Sequence, residues 1–398
     1  MKKTLLAAAL LAGFAGAASA QSSVTLYGLI DIGIGYQTIN GGTDAQNQTH
    51  FGMYNGVQNG SRWGLRGVED MGNGNRATFV LESGFDAANG SSGQSGRLFG
   101  RASWFGLENN SWGYVRMGRQ YNFASDYLTP IDPFLAGFGT ANMGQSFGAM
   151  NTTRYSNMLK YQTPVWNGFK AGIGYSFAPQ LEAFYANSVN GRNSLVNGSG
   201  NSYNFDTMNN TRALTLGATY ANGPLTIAAS YDQINPNSNV NATSNSASPK
   251  QWILGGMYDF KAVKVSAAYS QTRGGLLNPQ SATGYAGGGS GAINGGTWGG
   301  GATGVLFADG AGYNSYLVGL TAPINASSKV FGSWQMAQPN GNIQDLVNAV
   351  NQNVYAIGYQ YDFTKRTNVY ASVAYLNGVG FLSGVNTTQI FTGVRHQF

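Results

Sequence analysis

The sequence predicts an all-β protein in which residues 21–398 form one 16-stranded antiparallel transmembrane β-barrel. About sixteen short segments alternate apolar and polar side chains, which is the period of a strand with one apolar face. The connections between them are alternately short and long, as in barrels with tight turns at one end and long loops at the other. After residue 20 no apolar run approaches the roughly 20 residues that a transmembrane helix requires, so a helix bundle is excluded.

The N-terminus has the three regions of a secretory signal peptide. Lys2 and Lys3 precede an apolar run over residues 5–18, and Ala18, Ser19 and Ala20 supply the small residues of a cleavage site. We therefore expect residues 1–20 to be removed and the mature chain to start at Gln21.

The charge balance and the reactive side chains exclude several functions. Loss of Lys2 and Lys3 takes the formal net charge from +6 to +4 (6 − 2), and this mild charge is spread along the chain, so nucleic acid is a poor partner. There is no cysteine, hence no disulfide or thiol chemistry. His50 and His396 are the only histidines, too few for a metal site or a catalytic triad. We expect no cofactor and no enzyme activity.

Sixteen strands can be placed in order. The predicted strands are 24–36, 61–68, 75–85, 97–107, 113–121, 154–163, 168–177, 212–220, 224–234, 250–260, 262–273, 312–322, 328–337, 352–363, 367–376 and 389–398. Every backbone polar group at membrane depth needs an internal partner, so the last strand must pair with the first. Six aromatic residues stand beside short turns, as in an interfacial girdle: Trp112, Trp166, Tyr258, Phe260, Tyr361 and Phe363.

Residues 122–153 interrupt this regular pattern with a long connection, the third long loop. A loop of this length without a strand or helix pattern is usually functional or disordered. Its many apolar residues argue against disorder. We predict that this segment folds into the barrel lumen as a constriction loop and sets the width and charge of a pore.

Several motifs together resemble one protein family. VTLYGLIDIGIGY, SRWGLRGVED, RASWFGLEN, GYVRMGRQY, the loop with IDPF, TRYSNMLKYQTP and the terminal GVRHQF look like the general porins of Gram-negative outer membranes, most closely the β-proteobacterial type. The resemblance covers essentially the whole mature chain.

The resemblance implies a homotrimer in the outer membrane that passes small hydrophilic solutes and ions by passive diffusion. It implies contact with outer-membrane lipid and lipopolysaccharide, and the terminal Phe398 resembles the signal read by the outer-membrane assembly machinery. A porin selective for one nutrient anion is the alternative, and an outer-membrane barrel enzyme is a distant one.

The alternation of side chains assigns inward positions to several cations. Trp63 and Leu65 face lipid, so Arg62 and Arg66 face the lumen, where charge costs little. The same argument places Ala102 and Trp104 outside with Arg101 inside, and Tyr155, Leu159 and Tyr161 outside with Arg154 and Lys160 inside. Arg116 and Arg119 are further candidates, and a local bulge decides which of them points inward.

The family places a wall of arginines opposite its inward loop, and Arg62, Arg101 and Arg154 match those segments. Leu29 stands where enteric relatives carry a wall lysine, so the cluster is expected to be smaller here. Asp126 and Asp132 are the counter-charges that we expect on the loop, with a role in shaping turns beside Pro130 and Pro133 as the alternative. Three arginines against two acids predict a preference for anions.

Overall fold

The computed structural model describes residues 23–41, 48–150, 153–179, 211–236, 247–277, 306–341 and 349–398. The predicted signal peptide, residues 1–20, lies outside the described residues, as do parts of several long loops.

Seventeen strands form one closed antiparallel sheet. The first nine are β1 (Ser23–Asn40), β2 (Gln48–Asn55), β3 (Arg62–Gly72), β4 (Asn75–Gly84), β5 (Ala102–Asn109), β6 (Gly113–Tyr121), β7 (Arg154–Gln162), β8 (Phe169–Ser176) and β9 (Arg212–Asn222). The others are β10 (Leu225–Asn235), β11 (Lys250–Asp259), β12 (Lys264–Leu276), β13 (Leu306–Asn325), β14 (Ser328–Gly341), β15 (Gln352–Asp362), β16 (Thr367–Asn377) and β17 (Asn386–Gln397).

Two of these strands share one place in the barrel wall. β2 pairs with the second half of β1, and β3 pairs with its first half. The seventeen strands therefore occupy sixteen positions, and the predicted 16-stranded antiparallel barrel is confirmed.

The last strand closes the barrel on the first. β17 pairs with β1 from Leu29 opposite Gln397 to Asn40 opposite Asn386. The N–H of Phe398 also donates to the carbonyl of Gly28 at 3.0 Å. No strand edge is left open at this seam, as hydrocarbon requires.

The second wall position differs from the predicted one. Residues 48–55 were expected within the first long loop, yet they form β2, so His50 lies in a strand. The signal was present in the sequence, because Phe51 and Met53 alternate with inward residues and are strongly exposed on the outer face. Residues 56–61 then leave the wall before β3 begins.

The outer surface is apolar and ends in an aromatic belt. The six predicted girdle residues are all exposed and stand at the short turns: Trp112, Trp166, Tyr258, Phe260, Tyr361 and Phe363. No helix in the described ranges is long and apolar enough to cross a membrane.

The third long loop lies inside the barrel, as predicted. It begins with α1 (Phe123–Leu128) and continues in 3-10 turns at Thr129–Ile131, Gly139–Ala141, Met143–Gln145 and Gly148–Met150. Its apolar side chains form two clusters with inward residues of the wall. Burial of this apolar surface holds the loop against the wall from β7 round to β17.

Candidate functional site

Three charged side chains meet where β3, β4 and β5 join the long loops. Arg101 Nε donates to Glu82 Oε1 at 2.7 Å, and Arg62 Nη1 lies 3.9 Å from the same oxygen. The hydroxyl of Tyr27 donates to Glu82 Oε2 at 3.0 Å. Arg62 also donates from Nε to the carbonyl of Gly60 at 3.0 Å. Glu82 thus fixes two guanidinium groups side by side.

Tyr121, at the end of β6, brings the third arginine to this group. Its hydroxyl accepts a hydrogen bond from Arg154 and a longer one, 3.4 Å, from Arg101 Nη2. The guanidinium of Arg154 lies over the Tyr121 ring, 4.3 Å from its centroid. Arg62, Arg101 and Arg154 therefore converge around Glu82 and Tyr121, and these five residues are called the arginine cluster below.

The inward directions of Arg101 and Arg154 were predicted from neighbours expected to face outward. Those outward predictions are wrong in both strands. Ala102 and Trp104 were expected to face out, but Phe105 is on the outer face and Trp104 contacts Arg116 on the inner side. Arg101 precedes the first residue of β5, so the strand's alternation does not govern it.

Tyr155 was likewise expected outside, and it is 1% exposed with its hydroxyl on Asp232 Oδ1 at 3.1 Å. The register shifts between Gly118 and Gln120, and Asn157 on the facing strand has a left-handed φ of 50°. This irregularity is a β-bulge, which reverses the side on which preceding residues point.

Two of the further candidates lie on the inner wall between the arginine cluster and the short turns. Arg66 is exposed, with its guanidinium 5.5 Å from the centroid of the Tyr27 ring. Arg116 lies between the rings of Trp104 and Tyr114, at 4.2 and 3.9 Å from their centroids.

The other two candidates are buried. Arg119 is buried and donates to the Gly100 carbonyl at 2.7 Å and to Ser156 Oγ at 3.0 Å. Lys160 is 1% exposed beneath the loop, where it pairs with Asp126 and donates to the Tyr121 carbonyl at 2.8 Å. Both cations serve as internal ties, and the expectation that Lys160 lines open lumen is corrected.

The loop acids also differ from the expectation. Asp126 is one-third exposed, and its carboxylate pairs with the buried Lys160. Asp132 is 1% exposed and accepts backbone hydrogen bonds from Phe134, Ala136 and Met143 at 3.0, 2.9 and 2.9 Å. The turn-shaping alternative therefore describes Asp132, because its carboxylate is used up within the loop.

Burial dominates the electrostatics of Asp132. Desolvation raises the pKa of its carboxyl to about 6, against the lowering effect of the three N–H donors. Those donors hold a tip in which Leu135, Ala136 and Phe138 all have left-handed φ values, between 50° and 63°. Asp132 thus secures a conformation that these residue types rarely adopt.

The start of the loop is hydrogen-bonded to β10 of the barrel wall. Asn122 caps α1 by accepting from the Ser125 N–H at 3.1 Å, and its amide donates to Asp232 Oδ1 of β10 at 2.8 Å. The same amide donates to the Ala149 carbonyl at 2.8 Å, which joins the two ends of the loop. The buried carboxylate of Asp232 therefore helps to hold the start of the loop in place.

Further hydrogen bonds attach the loop around the inner wall. They run from Phe123 N–H to Thr215, from Ala149 N–H to Gln251, from Ser315 to the Ser146 carbonyl, from Gln335 to the Ala141 carbonyl and from Thr140 N–H to Gln389, all at 2.6 to 3.0 Å. Residues of β9, β11, β13, β14 and β17 contribute, so the loop follows the wall away from the arginine cluster.

The tip of the loop meets the segment between β2 and β3. The N–H of Phe138 donates to the Val57 carbonyl at 2.5 Å. This segment is itself held by Asp31, whose Oδ2 accepts from the Asn59 N–H at 2.5 Å and whose Oδ1 accepts from the Tyr370 hydroxyl at 2.5 Å. Residues 56–60 therefore bridge the loop tip and the wall, a feature that the sequence analysis missed.

An open space adjoins the arginine cluster. A cavity of about 480 Å³ is lined by Arg62, Glu82, Tyr27, Asn59 and Arg366, among others. Leu29, where the resemblance to enteric porins led us to expect the loss of a wall lysine, also lines it and carries no charge. The cluster thus borders space large enough for hydrated small ions.

Sequence reasoning also missed Glu82 and Tyr121, the two residues that assemble the arginine cluster. Glu82 was detectable, because it occupies an inward position of a predicted strand next to the wall arginines. Across the described residues no group of His, Cys, Asp and Glu is placed to hold a metal ion.

Comparisons with known proteins agree with this architecture. The family model described as "Gram-negative porin" matches residues 7–380. An outer membrane porin protein of Bordetella pertussis is 49% identical over 100% of both chains, and outer membrane porin protein 32 of Delftia acidovorans is 29% identical over 100% of both. The solved structure of an anion-selective porin from Comamonas acidovorans covers 95% of this chain and 100% of its own, with a TM-score of 0.68 and 25% identity. The chain therefore belongs to the Gram-negative porin family of the outer membrane, as its motifs indicated.

Proposed function

We propose that this porin is a general diffusion channel that prefers anions and that the arginine cluster forms its selective section. The single observation that carries the proposal is the convergence of Arg62, Arg101 and Arg154 around one carboxylate and one phenol. Three guanidinium groups against Glu82 leave a net charge of +2 (3 − 1) on this wall.

The charge balance of the loop supports the sign of the preference. Asp126 is paired with Lys160, and Asp132 is buried among backbone donors, so neither opposes the arginine cluster with a free carboxylate. A narrow aqueous passage with low-dielectric walls concentrates the field of such a cluster. Anions are attracted into it and cations are repelled, as in pores lined by Arg or Lys.

The names of related porins support the same function. The Comamonas structure is named an anion-selective porin. One of the solved porin structures that share this fold, OmpT of Vibrio cholerae, is named in a trimer form. We extend both properties to this chain as proposals: anion preference, and a homotrimer that contacts lipid and lipopolysaccharide.

Two alternatives remain from the sequence. A porin selective for one nutrient anion would need a dedicated binding site beside the arginine cluster. A barrel enzyme would need a nucleophile with a base. His50 of β2 and His396 of β17 lie opposite Gln37 and Ile30 of β1, seven residues apart, so they do not meet in one site. The general diffusion channel requires neither feature.

Reversal potentials in a salt gradient across a planar bilayer test the proposal. We expect chloride to permeate better than potassium, and the preference to weaken as the Debye length falls from about 10 Å at 0.1 M salt to about 3 Å at 1 M. Arg154→Ala should lower the preference and raise the single-channel conductance, because a long side chain leaves the cluster. Arg66→Ala, which removes an equal charge without touching Glu82 or Tyr121, should have a smaller effect.

Equal effects of both substitutions would show that total lumen charge, and not the cluster, sets selectivity. No change in either quantity for Arg154→Ala would place the selective section elsewhere.

A further inference from the structure

Arg116 is an inward, partly buried cation with few partners for its charge. It lies on β6, and its guanidinium is 3.8 Å from Glu108 Oε2, its one carboxylate contact in the described part of the chain. Its Nε is buried and has no hydrogen-bond partner there. By contrast, Arg101 and Arg119 each donate hydrogen bonds of 2.7 Å.

Glu108 does not neutralise Arg116, because it is already engaged. Arg76 Nε donates to Glu108 Oε1 at 3.0 Å, and Arg76 also donates to Asn110. Asp126, the nearest acid of the loop to this wall, is paired with Lys160. Arg116 therefore keeps an excess positive charge with unused N–H donors, and a buried or half-buried donor left unpaired is costly.

Aromatic rings fix the position of this charge. The guanidinium lies between the Trp104 and Tyr114 rings, at 4.2 and 3.9 Å from their centroids. Gly106 makes room for it, since a Cβ there would come within 2.7 Å of Arg116 Cγ. The Arg116 side chain is still 26% exposed, and Trp104 is half-buried on the inner face. The site is thus preformed, with a cation at its centre and an indole at its edge.

The site is separate from the arginine cluster. Tyr121 lies five positions beyond Arg116 along β6, which corresponds to about 16 Å at about 3.3 Å per residue. Arg116 also pairs in register with Lys160 of β7, below the loop root. A solute that has passed the cluster would meet Arg116 next on the same wall, toward the short turns.

We propose that Arg116, Trp104 and Tyr114 form a second anion site in series with the arginine cluster, and that it takes aromatic monocarboxylates. The carboxylate would accept hydrogen bonds from the free edge of the guanidinium, since planar forks match carboxylates well. The ring of the solute would pack on the exposed part of Trp104, in the offset or edge-to-face manner of aromatic pairs. This inference deepens the proposed anion-preferring pore and rests on it for solute entry.

Open-channel block by benzoate, with acetate as the matched anion without a ring, tests the site. We expect benzoate to reduce the single-channel current at concentrations at least fivefold below those of acetate. Arg116→Gln should raise the half-blocking concentration of both anions at least fivefold. Trp104→Leu should raise that of benzoate alone, and Lys365→Gln, which removes a cation from an exposed turn at the same end of the barrel, should change neither.

The readouts separate this site from the proposed pore function. Chloride conductance without a blocker and heat-modifiable gel mobility show whether a variant assembles. If Arg116→Gln does not assemble, Arg116→Lys is used instead, because it keeps the charge and removes the planar guanidinium. Benzoate block that depends on Arg116 in a channel without chloride preference would refute the anion-preferring pore and leave the site. Unchanged block in Arg116→Gln, or in Arg116→Lys together with Trp104→Leu, would refute the site in a channel that still prefers chloride.

Discussion

Gly172 and Gly217 lie opposite each other on β8 and β9, and the side chain of Phe123 fills the space in front of both. A Cβ at Gly217 would come within 2.6 Å of Phe123 Cβ and 2.8 Å of Tyr127 Cδ2. We predict that Gly217→Val displaces α1 from the wall and raises the single-channel conductance. The physical reason is that over-packing forces the loop to move, while the barrel itself keeps its strand pairing.

The chain offers a matched control for this substitution. Gly256 also lies within a strand, but it points to the outer face, and a Cβ there would meet no atom closer than 3.5 Å. Gly256→Val should leave the conductance unchanged. A Gly217→Val channel with native conductance would show that the loop root does not narrow the lumen.

Glu82 is predicted to limit the anion preference. Glu82→Gln removes one negative charge from the arginine cluster and keeps an oxygen that accepts from Arg101 Nε. We expect the chloride-to-potassium permeability ratio to rise about two- to fivefold at 0.1 M salt, where screening is weak. Reversal potentials measure this ratio, with Glu69→Gln on the exposed part of β3 as control. A lower ratio in Glu82→Gln would mean that the carboxylate matters mainly by holding the arginines in place.

Asp132 is predicted to make the loop more stable in mild acid. Its pKa is raised to about 6 in the folded loop from 3.8, so the folded loop binds the proton more tightly than the unfolded one. Stability from this group therefore increases as the pH falls from 7 through 6 toward 4. Amide hydrogen exchange of residues 133–143, corrected for the intrinsic rate, should show greater protection at pH 5 than at pH 7.5.

Asp132→Asn should abolish that pH dependence and lower the protection at both values, because one acceptor oxygen cannot serve three N–H donors. Equal protection of the original protein at pH 5 and pH 7.5 would contradict the raised pKa.

Asp31 is predicted to be the polar residue of β1 whose substitution destabilises the barrel most. Asp31→Ala leaves the Tyr370 hydroxyl and the Asn59 N–H without their acceptor, each worth about 1 to 3 kcal/mol when buried. We expect a lower temperature for the heat-induced gel shift and a more variable conductance, since residues 56–60 contact the loop tip. Asp259→Ala at the end of β11, where the side chain is one-third exposed, is the control. An unaltered gel shift in Asp31→Ala would count against this role.

The barrel was predictable because lipid imposes one rule on every strand. The alternation recurs in sixteen predicted segments, and short turns join every second pair of them, so one missed segment such as β2 did not change the count of wall positions. The inward loop was also predictable, since residues 122–153 are too apolar for an exposed connection.

Side-chain directions near the loop were not predictable in the same way. Arg101 lies before its strand begins, and the bulge between Gly118 and Gln120 reverses Tyr155, so alternation gave incorrect outer faces for Trp104 and Tyr155. The role of Asp132 depends on Met143, eleven residues away, and no local pattern indicates that contact. Tyr121 acts through arginines on other strands, and only the strand register reveals that these residues meet.

The contact of the loop with β17 has a consequence for biogenesis. Thr140 donates to Gln389, and Phe138 packs with Phe391 in one cluster, so the loop takes part of its support from β17, which is synthesised after the other sixteen strands described here. A nascent barrel that lacks β17 has neither a closed seam nor a fully seated loop. Closure of the wall and attachment of the loop tip therefore depend on the same strand, which links the two steps during assembly.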